Sequence, residues 1–292
     1  MKFYLSIILF IFQFSFSEST FNSLEFASNA AFHALHNGAI ASSTKYININ
    51  PASINIEKQQ FEISQLYLPA DIKNSSISFS WLRKKKTIFL KINSMNYGSL
   101  RDDFNDFEFK ANDLYIEVGQ KSKYKELFSI GYSLGYIKSS ISQYNSSGLY
   151  NNFGIRMNVL NKRLSIGATL NHAGFQIKSF INSNEFFPTS LRYGIAFKPL
   201  YLPVNIYLDY INHLNYKNKK LQLGFDFFIK EKMNFRLSTI NTRQDLKIDQ
   251  YYKDIFNNIS LGLGFIIKNK HFNLSIQNVG PAGMIYGFSI LI

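Results

Sequence analysis

From Gln60 to the C-terminus the apolar positions recur at every second residue, the period of a half-buried strand and not of a helix. Segment 127–138 shows it clearly. Phe128, Ile130, Tyr132, Leu134 and Tyr136 fall on one face, and Ser129, Gly131, Ser133 and Gly135 on the other. Segment 163–172 sets Leu164, Ile166, Ala168 and Leu170 against Ser165, Gly167, Thr169 and Asn171. The same opposition separates Leu221, Leu223, Phe225, Phe227 and Ile229 from Gln222, Gly224, Asp226 and Phe228. In 271–278, Phe272, Leu274 and Ile276 oppose Asn273, Ser275 and Gln277. Runs of this kind predict about fourteen strands of roughly eight to twelve residues, the length a tilted strand needs to cross a bilayer. They lie near 60–68, 75–82, 86–95, 111–121, 127–138, 148–159, 163–172, 189–198, 203–210, 220–229, 233–240, 257–268, 271–278 and 283–291.

The connections alternate in length. Segments 83–85, 122–126, 160–162, 199–202, 230–232 and 269–270 read as tight turns. Segments 96–110, 139–147, 173–188, 211–219 and 241–256 read as long loops, with 69–74 and 279–282 as the short members of that class. Outer-membrane barrels have this asymmetry, with short periplasmic turns and longer outer loops, and an even strand number leaves both termini in the periplasm. A soluble β-sandwich also alternates, but its loops have no reason to do so. The expected fold class is therefore all-β: a transmembrane antiparallel β-barrel of about fourteen strands, spanning 60–292 and located in the outer membrane. Its apolar face meets lipid and its small and polar face (Gly131, Ser133, Gly167, Thr169, Gly224, Gly262) lines the lumen. Tyr132, Tyr136, Tyr150, Tyr193, Tyr207, Tyr210 and Tyr286 are candidates for interfacial girdles.

Two segments precede the strands. Residues 1–17 read as a secretory signal: Lys2, an uncharged apolar run from Phe3 to Phe16, and the small residues Ser15 and Ser17 before Glu18. Residues 18–59 lack the strand period; 24–36 suggests a short helix and Asn50–Pro51–Ala52 a turn. This segment is expected to lie beneath the barrel or to plug its mouth.

Composition sharpens the class. Phe (29) and Tyr (18) are abundant and charged residues are only 17% of the chain, a balance suited to strands and membrane interfaces. The absence of Cys excludes disulfides, zinc-thiolate sites and cysteine nucleophiles. The net charge of +13 is compatible with nucleic acid, an anionic membrane surface or an acidic partner. No nucleic-acid motif is present, and the cations gather at the tight turns: Arg83–Lys86, Lys121, Lys123 and Lys125, Lys162 and Arg163, Lys230 and Lys232, Lys268 and Lys270. They either keep the turns solvated or form a basic rim against anionic headgroups or an acidic partner.

Candidate chemistry is sparse. Asp102, Asp103, Asp106 and Glu108 form an acidic run without the ligand spacing of a calcium loop. His33 and His36 lie three apart without a third ligand nearby, so no metal site is assigned. There is no G-x-S-x-G elbow, H-E-x-x-H or P-loop, and neither an enzyme activity nor a cofactor is expected. Three strand charges, Glu117, Asp209 and Asp226, fall on the luminal side, where they either polarise a channel or pair with a luminal Lys or Arg.

Several stretches carry a family resemblance. The run Leu24–Gly38 (LEFASNAAFHALHNG) followed by Asn50–Pro51–Ala52–Ser53 resembles the opening of the PorV/PorQ family of outer-membrane proteins, whose small-residue run ends in Leu-Gly-Gly and is followed by an Asn-Pro turn. Here His36–Asn37–Gly38 stands where that glycine pair would be. Met95–Leu100, Phe109–Leu114, Tyr144–Ile155, Asn171–Lys178, Pro188, Leu202–Pro203 and Arg243–Leu246 are similar as well, so the resemblance covers nearly the whole mature chain. It implies a fourteen-stranded barrel akin to the fatty-acid transporter FadL. It also implies a role as an anchor or docking component of a type IX-like secretion apparatus, closest to PorQ, with other secretion or surface-attachment proteins and outer-membrane lipids as partners. It supplies no catalytic residues. The alternatives are a FadL-like channel for small hydrophobic solutes and a soluble ligand-binding sandwich.

Overall fold

The structure, a computed structural model, describes residues 21–102, 107–125, 127–160, 163–180, 186–215, 219–230, 232–241 and 256–292. The segment 1–17 expected to be a secretory signal, Asp103 and Asp106 of the acidic run, Lys162 and Arg243–Leu246 lie outside them.

Fourteen antiparallel strands form a closed barrel. They are β1 (Gln60–Tyr67), β2 (Lys73–Arg83), β3 (Lys86–Asp102), β4 (Phe107–Tyr124), β5 (Phe128–Ile141), β6 (Tyr144–Val159), β7 (Leu164–Lys178), β8 (Ser190–Phe197), β9 (Val204–His213), β10 (Lys219–Ile229), β11 (Met233–Ile240), β12 (Ile259–Ile267), β13 (Lys270–Asn278) and β14 (Met284–Leu291). Each pairs with its neighbours in sequence, and β14 closes on β1 from Glu62↔Leu291 to Tyr67↔Tyr286. Closure is what lets a sheet lie in hydrocarbon, because every backbone group then has a partner within the sheet.

The alternation sorts the two faces. On β5, Ile130, Tyr132, Leu134 and Tyr136 are exposed on the outside, while Ser129, Ser133 and Ile137 are buried within. From Phe128 to Tyr136 the strand makes about eight rises of ~3.3 Å, roughly 20 Å along the membrane normal at a tilt near 40°. The belt of apolar side chains is thus bilayer-thick. Leu134 sits well inside it, and Leu134→Arg is expected to cost about 2–4 kcal/mol in a urea titration of protein refolded into vesicles. An equal stability of the variant and wild type would place Leu134 outside the hydrocarbon.

The tight turns, the start of β1 and the end of β14 share one end of the barrel. Lys84, Lys125, Lys230 and Lys268 in four of these turns have φ of +59°, +51°, +61° and +46°. In the 268–269 turn Asn269 is also left-handed, the requirement of a type I′ hairpin. A side chain with a Cβ is strained there by about 1–2 kcal/mol, and Gly or Asn is the usual solution.

At the other end, the loops expected at 96–110 and 139–147 are largely strand. β3 and β4 continue as a hairpin through Arg101↔Glu108, with a bulge between Asn96 and Ser99 where Gly98 has φ +78°. β5 and β6 are joined by residues 142–143 alone. Backbone pairing persists beyond the lipid belt, where neither face needs to be apolar, so the hydrophobic period fades before the strand ends. β7 holds a second surprise. Its pairing with β6 slips between Asn151 and Phe153, and His172 is left-handed at φ +54°. Asn171 and His172 both turn inward, and beyond them the faces exchange, so that Phe175 and Ile177 point outward.

Residues 21–56 are packed inside the barrel, and the exposed 57–59 lead into β1. A 3-10 turn (Asn22–Glu25) leads to a single helical turn, α1 (Ala30–His33), and then to irregular chain with one parallel bridge, Thr44↔Ile54. α1 starts where the Asn29 side chain accepts the Phe32 N–H at 2.9 Å, and it packs against β12, β13, β14 and β1. Ala34, Ile40, Ala41 and Ala52 are wholly buried although they belong to no helix or strand. The wall makes room for them with glycines. A Cβ on Gly131 would lie 2.2 Å from the Ala52 nitrogen, and one on Gly262 would lie 2.4 Å from the Ala34 Cβ.

Candidate functional site: the plug and the wall that holds it

The lumen is occupied by a plug, so the chemistry of the interior is the chemistry of its attachment. Asn50 and Pro51 form one staple. Asn50 is fully buried; its Oδ1 accepts the Ala52 N–H at 2.9 Å, and its Nδ2 donates to the carbonyls of Ile40 (2.8 Å) and Ile155 on β6 (3.3 Å). Pro51 lies against Gly131 on β5. Asp209, inward on β9, forms a second staple by accepting the backbone N–H groups of Ala39 (2.6 Å) and Ile40 (3.1 Å). Gly194 on β8 leaves the space that this carboxylate fills.

Glu117 and Asp226 also face inward, but they pair with the wall. Glu117 on β4 meets the Lys91 ammonium at 2.7 Å and accepts from Ser133 (2.7 Å), Asn152 (3.0 Å) and Tyr150 (3.4 Å). Asp226 on β10 meets Arg236 at 3.5 Å and accepts from Asn234. Glu117 and Asp226 thus each have a cation and a neutral donor beside the carboxylate, the condition for charge in a closed interior.

The constellation that sequence reasoning missed centres on Glu25 of the plug. Arg192, inward on β8 and 2% exposed, reaches both Glu25 carboxylate oxygens at 3.1 and 3.0 Å. His172 Nδ1 and His213 Nε2 stand 3.5 and 3.6 Å from the same carboxylate. Burial pushes the Glu25 carboxyl up, but Arg192 and the two histidines outweigh it and hold the group well below the usual carboxylate range. The result is a four-residue latch between the plug and strands β7, β8 and β9. Its one sequence signal was Arg192, a charge on the polar face of a strand; His172 joins only through the β7 bulge.

His33 and His36 bind the wall through neutral rings. His33 Nδ1 shares a hydrogen bond with Ser275 at 2.9 Å, and His36 bonds Ser238 (2.6 Å) and Asn258 (3.2 Å). Burial lowers His33 to about 3, with His36 adding to the effect. Burial also lowers His36 to about 4, with the Lys220 charge adding to it against the support of Asn258. Both native values lie below the unfolded value of 6.5, so the unfolded chain binds more protons in this range and stability is lost as pH falls from about 6.5 towards 4. Seating of the plug, followed by protease access, is expected to weaken over that window, and a His33→Gln/His36→Gln variant to show a flatter profile. An unchanged profile would remove these two rings from the pH response.

An apolar cluster lies on one side of the polar staples and a cavity on the other. Towards the outer end, Phe21 and Leu24 of the plug cluster with Tyr115, Ile137, Tyr150 and Phe187, and the Phe21 and Phe187 rings are 4.8 Å apart. Towards the tight-turn end a cavity of about 290 Å³ of mixed lining opens between the plug and the wall, where Phe32, Leu35, Tyr207 and Phe265 meet Lys45, Asp226, Arg236 and His271. Tyr150 and Tyr207, expected in the interfacial girdle, therefore belong to the interior, where they are 2% and 5% exposed; Tyr132, Tyr136, Tyr193, Tyr210 and Tyr286 face outward. Tyr150 and Tyr207 lie on the inward parity of β6 and β9, and their rings fill space between plug and wall.

No protein-family model and no curated protein matches the sequence. Among solved structures the chain is similar to the toluene transporter TbuX of Ralstonia pickettii, at 12% identity and a TM-score of 0.60 over 92% of this chain and 97% of that one. The P. putida toluene transporter TodX is similar at 12% identity and a TM-score of 0.61, over 92% and 96% of the two chains. A FadL homologue of Pseudomonas aeruginosa follows at 10% identity and a TM-score of 0.60, over 90% and 97%. At such identities the likeness is one of fold. Together with the apolar belt it identifies the chain as a closed fourteen-strand barrel of the outer membrane, with the fold of the FadL-like proteins.

Proposed function

We propose that this barrel passes a small hydrophobic solute across the outer membrane, with the segment 21–56 as its gate. The observation that carries the reading is the placement of an apolar cluster on one side of the polar-stapled plug and a cavity of mixed lining on the other. The outer cluster of Phe21, Leu24 and Phe187 is filled by the chain's own side chains, which an apolar solute of similar size can replace. The cavity at the tight-turn end, about 290 Å³, is close to the lower size limit of a small-ligand site and offers Phe32, Leu35 and Phe265 to an apolar solute. The fold shared with two toluene transporters and a FadL homologue supports the same reading. The barrel itself contributes no covalent chemistry in this role; it supplies a low-dielectric path and a seal.

The test is uptake of a radiolabelled monoaromatic or fatty acid into vesicles containing the refolded barrel. Uptake above empty vesicles, reduced by Phe21→Ala/Leu24→Ala, supports the channel. Uptake equal to that of empty vesicles refutes it.

A second reading, a docking component of a type IX-like secretion apparatus, is favoured by the density of the plug's attachment. A passage must break the Asn50, Asp209 and Glu25 contacts, whereas a docking protein has no need to. Detergent pull-down with identification of bound proteins tests it; recovery of no secretion component would sink it.

A further inference from the structure

The rim of the barrel at the tight-turn end has a composition that hairpin turns alone do not require. Each of its six turns carries an exposed cation: Lys84, Lys125, Arg163, Lys198, Lys230 and Lys268. Glu57 is the exposed acid at this end among the described residues, and the sequence adds Glu126 and Glu231 to two of the turns and Lys162 to a third. Four of the six cations occupy left-handed backbone, which disfavours lysine. Solubility of a turn is served equally by Asn, without that strain.

Each cation also has an exposed apolar side chain within three residues, in the turn or at the strand end that leads into it: Leu82, Leu127, Leu160, Tyr201, Ile229 and Ile267, of which Tyr201 is 89% exposed. Exposed apolar groups at the turns and adjoining strand ends work against a purely solvated rim. A long basic side chain beside an apolar one is the arrangement of a bilayer interface, where the stem lies in the acyl boundary and the charge reaches the headgroups.

We infer that this rim binds the anionic phospholipid headgroups of the leaflet facing the tight turns. The distribution selects lipid over a protein partner. The cations are spread around the whole circumference, one per turn, as an annulus of lipid requires; an acidic protein docking from one side needs a one-sided patch. This inference is independent of whether the lumen conducts a solute.

The experiment uses the mature chain reconstituted in nanodiscs of phosphatidylcholine with phosphatidylglycerol, and measures the lipid retained on the barrel by native mass spectrometry. A rim variant carries Lys84→Asn, Lys125→Asn, Lys230→Asn and Lys268→Asn, substitutions that relieve backbone strain and so do not threaten folding. A control variant carries Lys138→Asn and Lys178→Asn at the opposite end. Wild type and control are expected to retain phosphatidylglycerol preferentially, and the rim variant to lose at least about fivefold of that preference, the effect of a single interfacial cation. Equal preference in wild type and rim variant overturns the inference, as does no preference in wild type. Capture of an acidic soluble protein by wild type but not by the rim variant, with no lipid preference, assigns the rim to a protein partner instead.

Discussion

Replacing Arg192 with alanine is expected to unseat the plug. The guanidinium is nearly inaccessible and holds both oxygens of Glu25, and without it the carboxylate keeps only two histidines beside it. Removing one partner of a buried pair typically costs about 3–5 kcal/mol, because the remaining charge stays desolvated and uncompensated. Glu25 retains 20% of its side-chain exposure, so the lower end of that range, about 3 kcal/mol, applies here. The chain has no cysteine, so Ser53→Cys provides a single thiol, buried in the plug. Its maleimide labelling in the Arg192→Ala background is expected to rise by roughly two orders of magnitude. A Glu25→Gln/Arg192→Gln pair removes both charges together and is expected to label far more slowly than Arg192→Ala. Labelling unchanged by Arg192→Ala would show that the other staples suffice and that the latch is not what holds the gate.

Gly131→Leu is expected to unseat the plug as well, and it acts by volume. The missing Cβ at this position faces the backbone of Pro51 and Ala52, which cannot rotate out of the way as a side chain would. Overpacking a closed interior typically costs about 1–3 kcal/mol, and a clash against backbone belongs at the top of that range. The barrel wall is held by its own ladder of backbone pairs and remains closed, so the plug gives way. In planar bilayers the wild type is expected to be silent and Gly131→Leu to show discrete conductance steps. Fourteen strands enclose more space than the eight-strand barrels whose lumens side chains fill. Silent bilayers from a folded variant would mean that the plug shifts locally and keeps its seal.

These two positions show where the sequence was legible. Gly131 reads as a luminal glycine from its place between Ile130 and Tyr132, because lipid and lumen impose opposite demands on alternate residues. The charges Glu117, Asp209 and Asp226 could be assigned to a face by the same parity, but not to a partner. Asp209 holds the plug while Glu117 and Asp226 hold the wall, and nothing in their local sequence distinguishes them. Glu25 could not be read at all. It lies in a segment with no period, since a chain surrounded on every side has no face to alternate against.

The sequence by itself determined the strand period, the near-even spacing of the strands, the apolar exterior and the crowding of cations at one set of turns. These are local properties, set by what each side chain meets across the pleat. The tertiary structure decided the rest. It closed β14 onto β1, drew 21–56 into the lumen, carried strands β3 to β6 beyond the lipid belt, and turned Tyr150 and Tyr207 inward against the plug. It also reversed the faces of β7 at His172, so that two histidines and an arginine from three strands meet one carboxylate. The barrel closure and the seating of the plug depend on contacts between residues more than a hundred positions apart, and the alternation of neighbouring residues carries no record of them.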